Sequence, residues 1–179
     1  MNVVDPSLHT AGLDPDAPPT ATAVAGTLHG IGLGPGDPEL LTVKAVRLIQ
    51  AAPVLAYFAK KGRRGNARAI VEPWLKPGVE ELALEYPVTT EIHFAEESYR
   101  DSLAGFYAEA TERLAGVLAA GRDVALVAEG DPLFYGSFMH LFVRLEGRFR
   151  ISIVPGVTGM SGCWTAAKSP ITWGDDVLT

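Results

Sequence analysis

Cysteine is almost lacking: Cys163 stands alone among 179 residues, so neither a disulfide framework nor a cysteine-based zinc site can form. Basic charge is also scarce. Fifteen Lys and Arg face 21 Asp and Glu, a net charge of −6. That sign argues against nucleic acid as the main partner, because phosphate neutralisation needs excess cations. No run of 18 apolar residues occurs, so no segment reads as a membrane span. Residues 1–26 hold no Lys or Arg and so lack the charged start of a secretory signal; a cytoplasmic protein is expected. His9, His29, His93 and His140 show no ligand spacing, and no metal is expected. What the chain does have is apolar mass. With 47% hydrophobic and 20% charged residues, it can bury a real core.

Proline and charge divide the sequence near residue 26. The first 26 residues carry Pro6, Pro15, Pro18, Pro19 and three acids among Ala and Thr, and read as a disordered leader. From Thr27 strand and helix patterns alternate. Apolar runs at 28–33, 54–58, 81–86, 123–128 and 151–154 predict five strands. Helices are predicted from Asp37 to Ala52, from Asn66 to Leu75, from Leu133 to Glu146 and from Thr158 to Ala167. The longest stripe, Tyr99, Leu103, Phe106, Tyr107, Ala110, Leu114, Val117 and Leu118, ends before Gly121, a good C′ residue. Its aromatics read as core. Cys163, among Ala, Gly and Ser, reads as a small buried residue. The predicted fold class is α/β, a mostly parallel sheet flanked by helices over residues 27–168. Residues 169–179 read as a linker, in which Trp173 is expected to pack against something, such as a further domain.

Three segments lie just past predicted strands: Gly32-Leu33-Gly34-Pro35-Gly36-Asp37, Glu129-Gly130-Asp131-Pro132 and Pro155-Gly156-Val157-Thr158-Gly159. In open parallel sheets, ligands bind beyond the carboxyl ends of the strands. Glycines there permit tight turns or close approach to a ligand. The dinucleotide fingerprint G-x-G-x-x-G fails in both registers, because its third glycine would fall on Asp37 or Pro35. Asp37 would also oppose a pyrophosphate at the following helix. Lys60 and Lys61 after the second strand keep NADP binding, as an oxidoreductase fragment, as an alternative. No phosphate-cradling G-x-x-x-x-G-K-[ST] and no G-x-S-x-G nucleophile elbow occurs.

In order and spacing, Gly32 to Thr42, Glu129 to Ser137 and Val154 to Thr158 resemble the tetrapyrrole methylase family. The segments Tyr57 to Gly62 and Glu85 to Thr89 resemble one branch of it, acting on a meso carbon. The resemblance runs from Thr27 to about Thr179. It implies S-adenosylmethionine as methyl donor, a reduced tetrapyrrole as substrate and a homodimer. It also implies a second α/β domain, so that this chain would be the first domain plus the start of the linker and could be catalytically silent alone. Carried over by motif, Pro35, Glu129, Gly130, Asp131, Phe134, Thr158 and Gly159 would line the donor. Asp131 has a second reading, as cap of a helix opening at Pro132. No nucleophilic side chain is needed, because a sulfonium is already an activated leaving group and alignment supplies much of the rate. Lys60, Lys61, Arg63, Arg64 and Arg68 form an acid-free run, read either as a clamp for tetrapyrrole carboxylates, with Lys60, Lys61 and Arg64 foremost, or as a solvated loop.

Overall fold

The computed structural model describes residues 24–87 and 97–178, with only the backbone of 97–100. Most of the leader, the end of the Glu85–Thr89 segment and the Tyr99 side chain therefore lie outside the described residues. Five strands form one sheet: β1 (Thr27–Gly32), β2 (Val54–Lys60), β3 (Glu80–Tyr86), β4 (Val124–Ala128) and β5 (Arg150–Val154). The order is β3-β2-β4-β1-β5, and every pairing is parallel. Helices α1 (Val43–Ala51), α2 (Asn66–Val71), α3 (Glu97–Ala119), α4 (Phe138–Leu145) and α5 (Gly159–Ala167) complete the fold. Among the described residues, no helix is long and apolar enough to cross a membrane.

The sheet is covered on both faces, which explains why its strands read as unbroken apolar runs. In β4, Val124 and Leu126 point into one core with Leu114, Leu118, Phe138 and Leu141. Ala125 and Val127 point the other way, into a core with Ala45, Ile49, Ile70 and Val71. So α3 and α4 cover one face while α1 and α2 cover the other. Gly30 in β1 has a packing role: a Cβ there would fall 2.3 Å from the Phe138 ring. Phe138 lies fully buried against the strand because Gly30 has no side chain.

Strand positions match the sequence pattern, but two helix starts do not. Asp37 caps only a 3-10 turn, Pro38–Leu40, accepting from the Glu39 N–H at 2.8 Å. The α-helix begins afresh at Val43, capped by Thr42, whose Oγ1 accepts from Ala45 N–H at 3.1 Å. Likewise no helix opens at Leu133. Residues 131–137 form a loop, and α4 starts at Phe138. Asp131 does bond the Leu133 N–H, at 2.9 Å, as a cap would. It closes an isolated turn instead, while its other oxygen accepts from Gly156 N–H at 3.1 Å. The helix expected to reach Leu75 ends at Val71 and tightens into a 3-10 turn, Glu72–Trp74, around Pro73.

Two further expectations, for Cys163 and Arg68, are corrected. Cys163 is exposed, because α5 buries none of its residues. Trp173 is exposed as well, in a stretch without helix or strand. Arg68, counted in the basic run, is buried on α2 between Ala67 and Ile70 and pairs with Glu81.

Candidate functional site

Chain direction alone marks where a site should be. The helix that follows β1 packs on one face of the sheet, and the helix that follows the adjacent β4 packs on the other. Neighbouring strands whose connections diverge leave a crevice at their carboxyl ends, the topological switch point of an open α/β sheet.

The three glycine-bearing turns meet there. Gly130 N–H donates to the Gly34 carbonyl at 2.8 Å, and Gly34 N–H returns a bond to the Gly130 carbonyl at 3.3 Å. Gly156 N–H donates to Asp131 Oδ2 at 3.1 Å. The turns approach so closely that a Cβ on Gly32 would sit 2.6 Å from Gly156 N, and one on Gly156 would sit 2.1 Å from the Gly130 oxygen. Pro35 rests against α5, where a Cβ on Gly162 would fall 2.5 Å from its ring. Thr158 caps α5 through Ser161 N–H at 3.3 Å, and Gly159 is the first residue of that helix. Pro35, Glu129, Gly130, Asp131, Thr158 and Gly159 thus lie on one rim, the first four on turns bonded to one another. Asp131 works as the tie between two turns.

Beside this rim a cleft of about 680 Å³ opens over the ends of β2 and β4. Its walls include Phe58, Ala59, Lys60, Val127 and Ala128 from the sheet and Phe134, Tyr135 and Ser137 from the loop before α4. Glu129, next to Gly130 on the rim, and Phe134 also line the cleft. Arg63 and Arg64 line the basic edge. Arg64 forms an ion pair with Glu72, both side chains half exposed. Lys61 lies outside, in a smaller groove with Glu85, Glu109 and Arg113. The basic run is therefore divided: Lys60, Arg63 and Arg64 border the cleft, Lys61 does not, and Arg68 is structural.

Sequence reasoning assigned no role to several residues that shape the cleft. Asn66 Nδ2 donates to Glu129 Oε2 at 3.3 Å, orienting that carboxylate from the start of α2. Ser137 precedes α4 without capping it. Its Oγ instead contacts Tyr86 OH at 2.5 Å and Tyr107 OH at 2.9 Å. Tyr107 stacks on His140 at 4.2 Å. Burial, followed by the nearby Arg144 cation, lowers the His140 pKa. Below the cleft, Arg68 donates to both Glu81 oxygens at 2.8 and 2.7 Å, and Tyr57 OH donates to Glu81 at 3.0 Å. The Arg68 bond chiefly holds the Glu81 carboxyl below its usual range, while burial raises the Tyr57 hydroxyl. This network fixes α2, and with it Asn66, to the sheet.

A parallel α/β sheet with its turns gathered at the switch point defines an open α/β fold with a ligand crevice at that edge. Comparison narrows it: residues 27–179 match the family model described as Tetrapyrrole (Corrin/Porphyrin) Methylases, and the chain belongs to that family. It is 58% identical over 154 residues to a precorrin-2 C(20)-methyltransferase of Sinorhizobium sp., covering 86% of this chain and 63% of the relative. It is 55% identical to the cobalamin biosynthesis protein CobIJ of Mycobacterium bovis, covering 86% of this chain and 30% of that protein. Among solved structures, a cobalt precorrin-4 methyltransferase superposes with a TM-score of 0.61 at 31% identity, over 86% of this chain and 55% of that one. The chain thus spans less than two thirds of the length of these relatives. The dinucleotide alternative also fails on geometry. No helix N-terminus follows the first glycine turn directly, because a 3-10 turn and Thr42 intervene before α1.

Proposed function

We propose that this chain forms the donor-binding part of an S-adenosylmethionine-dependent methyltransferase that methylates precorrin-2 at C-20. The observation that carries this reading is the knot of turns at Gly34, Gly130 and Gly156. It creates a backbone-rich rim next to a carboxylate, Glu129, and a cleft wide enough for a drug-sized ligand. A pyrophosphate would meet Asp37 and Asp131 here; a compact sulfonium nucleoside would not suffer that repulsion.

The donor brings the activated methyl group. Pro35, Gly130, Thr158 and Gly159 shape its rim, Asp131 locks the rim's turns, and Glu129 and Phe134 mark the boundary with the substrate. Lys60 and Arg64 offer cations to substrate carboxylates, and Lys61 lies too far round the edge to share that cleft. The chain's work is alignment of carbon, methyl and sulfur, which can supply effective molarities on the order of 10⁵–10⁸ M. The same reading extends to a cytoplasmic homodimer without a metal or a nucleic-acid partner.

Calorimetry with S-adenosylmethionine and its demethylated product tests it, with NADPH as comparison. Donor and product should bind and NADPH should not; NADPH affinity without donor affinity would reverse the assignment. Transfer of a labelled methyl group to precorrin-2 tests the substrate, using this chain and a version extended to the length of the relatives. Donor binding with no transfer by either form would refute the precorrin-2 assignment.

A further inference from the structure

Tyr135 occupies a backbone conformation that bulky side chains avoid. Its φ is +54°, in the left-handed region, while 91% of the residue is exposed. No core packing repays that strain. Left-handed backbone at a bulky residue persists only when the surroundings over-determine it, and such sites concentrate where ligands are clamped.

The loop around Tyr135 is over-determined at both ends. At its start, Asp131 bonds Leu133 N–H and Gly156 N–H, and the Asp131 carbonyl accepts from Phe134 N–H at 3.2 Å. At its end, Ser137 is held by the phenols of Tyr86 and Tyr107. Between these anchors Phe134 and Tyr135 stand as an edge-to-face pair, ring centroids 4.8 Å apart, on the wall of the cleft. Phe134 is 45% exposed. A rigid loop therefore spends backbone strain to present two aromatic rings to open space. Lys60, Arg63 and Arg64 line the same cleft, Arg64 as the ion-pair partner of Glu72.

An aromatic pair sharing a cleft with basic residues suits a molecule with a broad ring face and several carboxylates. The methyl donor matches that lining less well, since it offers three cations a single carboxylate and brings a cationic sulfur of its own. We infer that Tyr135, held in its left-handed conformation by the anchored 131–137 loop, is the specificity element that packs against the macrocycle of a tetrapyrrole in this cleft. The inference rests on the methyltransferase reading and assigns the two ligands to separate places: the donor to the glycine rim, the macrocycle to the aromatic wall.

Tyr135→Gly separates strain from binding, because glycine adopts positive φ freely. The probes are uroporphyrin III, a stable polycarboxylate tetrapyrrole, and S-adenosylhomocysteine, each titrated into this chain by fluorescence or calorimetry. Tyr135→Gly should keep or raise the melting temperature and weaken uroporphyrin binding about tenfold, the scale of a lost aromatic contact. Tyr135→Phe, which retains the ring, should bind within about twofold of the parent. Affinity for S-adenosylhomocysteine should be unchanged in both. Unaltered uroporphyrin affinity in Tyr135→Gly, a parallel loss of both ligands, or no uroporphyrin binding by the parent would each overturn the inference. Failure of the parent to bind S-adenosylhomocysteine would instead count against the methyltransferase reading, and the uroporphyrin series would still score Tyr135 by itself.

Discussion

Asp131 and Gly156, 25 residues apart in sequence, are joined by one hydrogen bond of 3.1 Å, from the Gly156 N–H to Oδ2. The other carboxylate oxygen takes the Leu133 N–H at 2.9 Å, so both oxygens accept from backbone. Asp131→Asn replaces one acceptor with an NH₂ group that must oppose one of these donors. We expect a loss of about 1–2 kcal/mol in urea unfolding. Donor affinity should fall with it, because the Gly156 turn is freed from the Gly130 turn. Unchanged stability and affinity would show that the tie is dispensable.

Gly156→Ala tests the same junction sterically. The added methyl would lie 2.1 Å from the Gly130 oxygen and 2.9 Å from the Gly32 backbone, neither of which is a flexible side-chain end. A cost of about 1–3 kcal/mol is expected from such overpacking. The Gly34–Gly130 bridge should open as well, visible as faster amide exchange at Gly130.

By contrast, Gly105 and Gly116 lie within α3 with open space where a Cβ would stand and no positive φ. Alanine at either position should stabilise the protein by about 0.5–1 kcal/mol, chiefly through the entropy of the unfolded chain. The two effects should add, since the sites are three turns apart. Thermal unfolding of the single and double variants checks this.

The Arg68–Glu81 pair should respond differently to removal of either partner. Arg68 is buried and donates through two nitrogens, whereas Glu81 retains some solvent contact. Glu81→Gln takes both hydrogen-bonded oxygens' charge from a buried cation and leaves it only the Glu72 carboxylate, 3.9 Å away. A loss of about 2 kcal/mol is expected, below the ~3–5 of a fully buried pair because water still reaches Glu81. Arg68→Met should cost less than Glu81→Gln, since it strands no buried charge. The reverse order in denaturant midpoints would contradict the network described.

His29 sets an acid limit. Its pKa lies below the ordinary 6.5, mainly because burial disfavours the imidazolium, with Lys44 adding and Asp123 opposing. Its Nδ1 is buried without a hydrogen-bond partner among the described residues. The folded state therefore holds this proton less readily than the unfolded state. Its contribution to stability is complete above pH 6.5 and is lost as pH falls through the lower, folded value. Melting temperature should drop as pH falls below about 6.5, and His29→Gln should flatten that drop. An identical slope in the variant would remove His29 as the cause.

Much of this protein was legible in the chain itself. Strands such as Val124–Ala128 read correctly because both faces of the sheet are covered, which turns each strand into an unbroken apolar run. The glycine turns after β1, β4 and β5 were legible because chain direction in a parallel sheet puts such turns at one edge. Two helix starts were not, although those at Asn66 and Thr158 were. Asp37 and Asp131 both bond the N–H two residues on, a local event that either a helix or an isolated turn can follow. Which one follows depended on partners far away, such as Gly156 for Asp131.

The sequence determined the α/β class, the family and the rim residues, because periodicity, glycine placement and motif spacing are properties of neighbouring residues. Tertiary structure alone decided that Arg68 is internal, that Lys61 faces another groove, and that Ser137 is held by tyrosines 51 and 30 residues away. The same holds for Asn66, which reaches Glu129 across 63 residues. Contacts of that range follow from how sheet and helices pack around two cores, and no local pattern encodes which side chain the far end will meet.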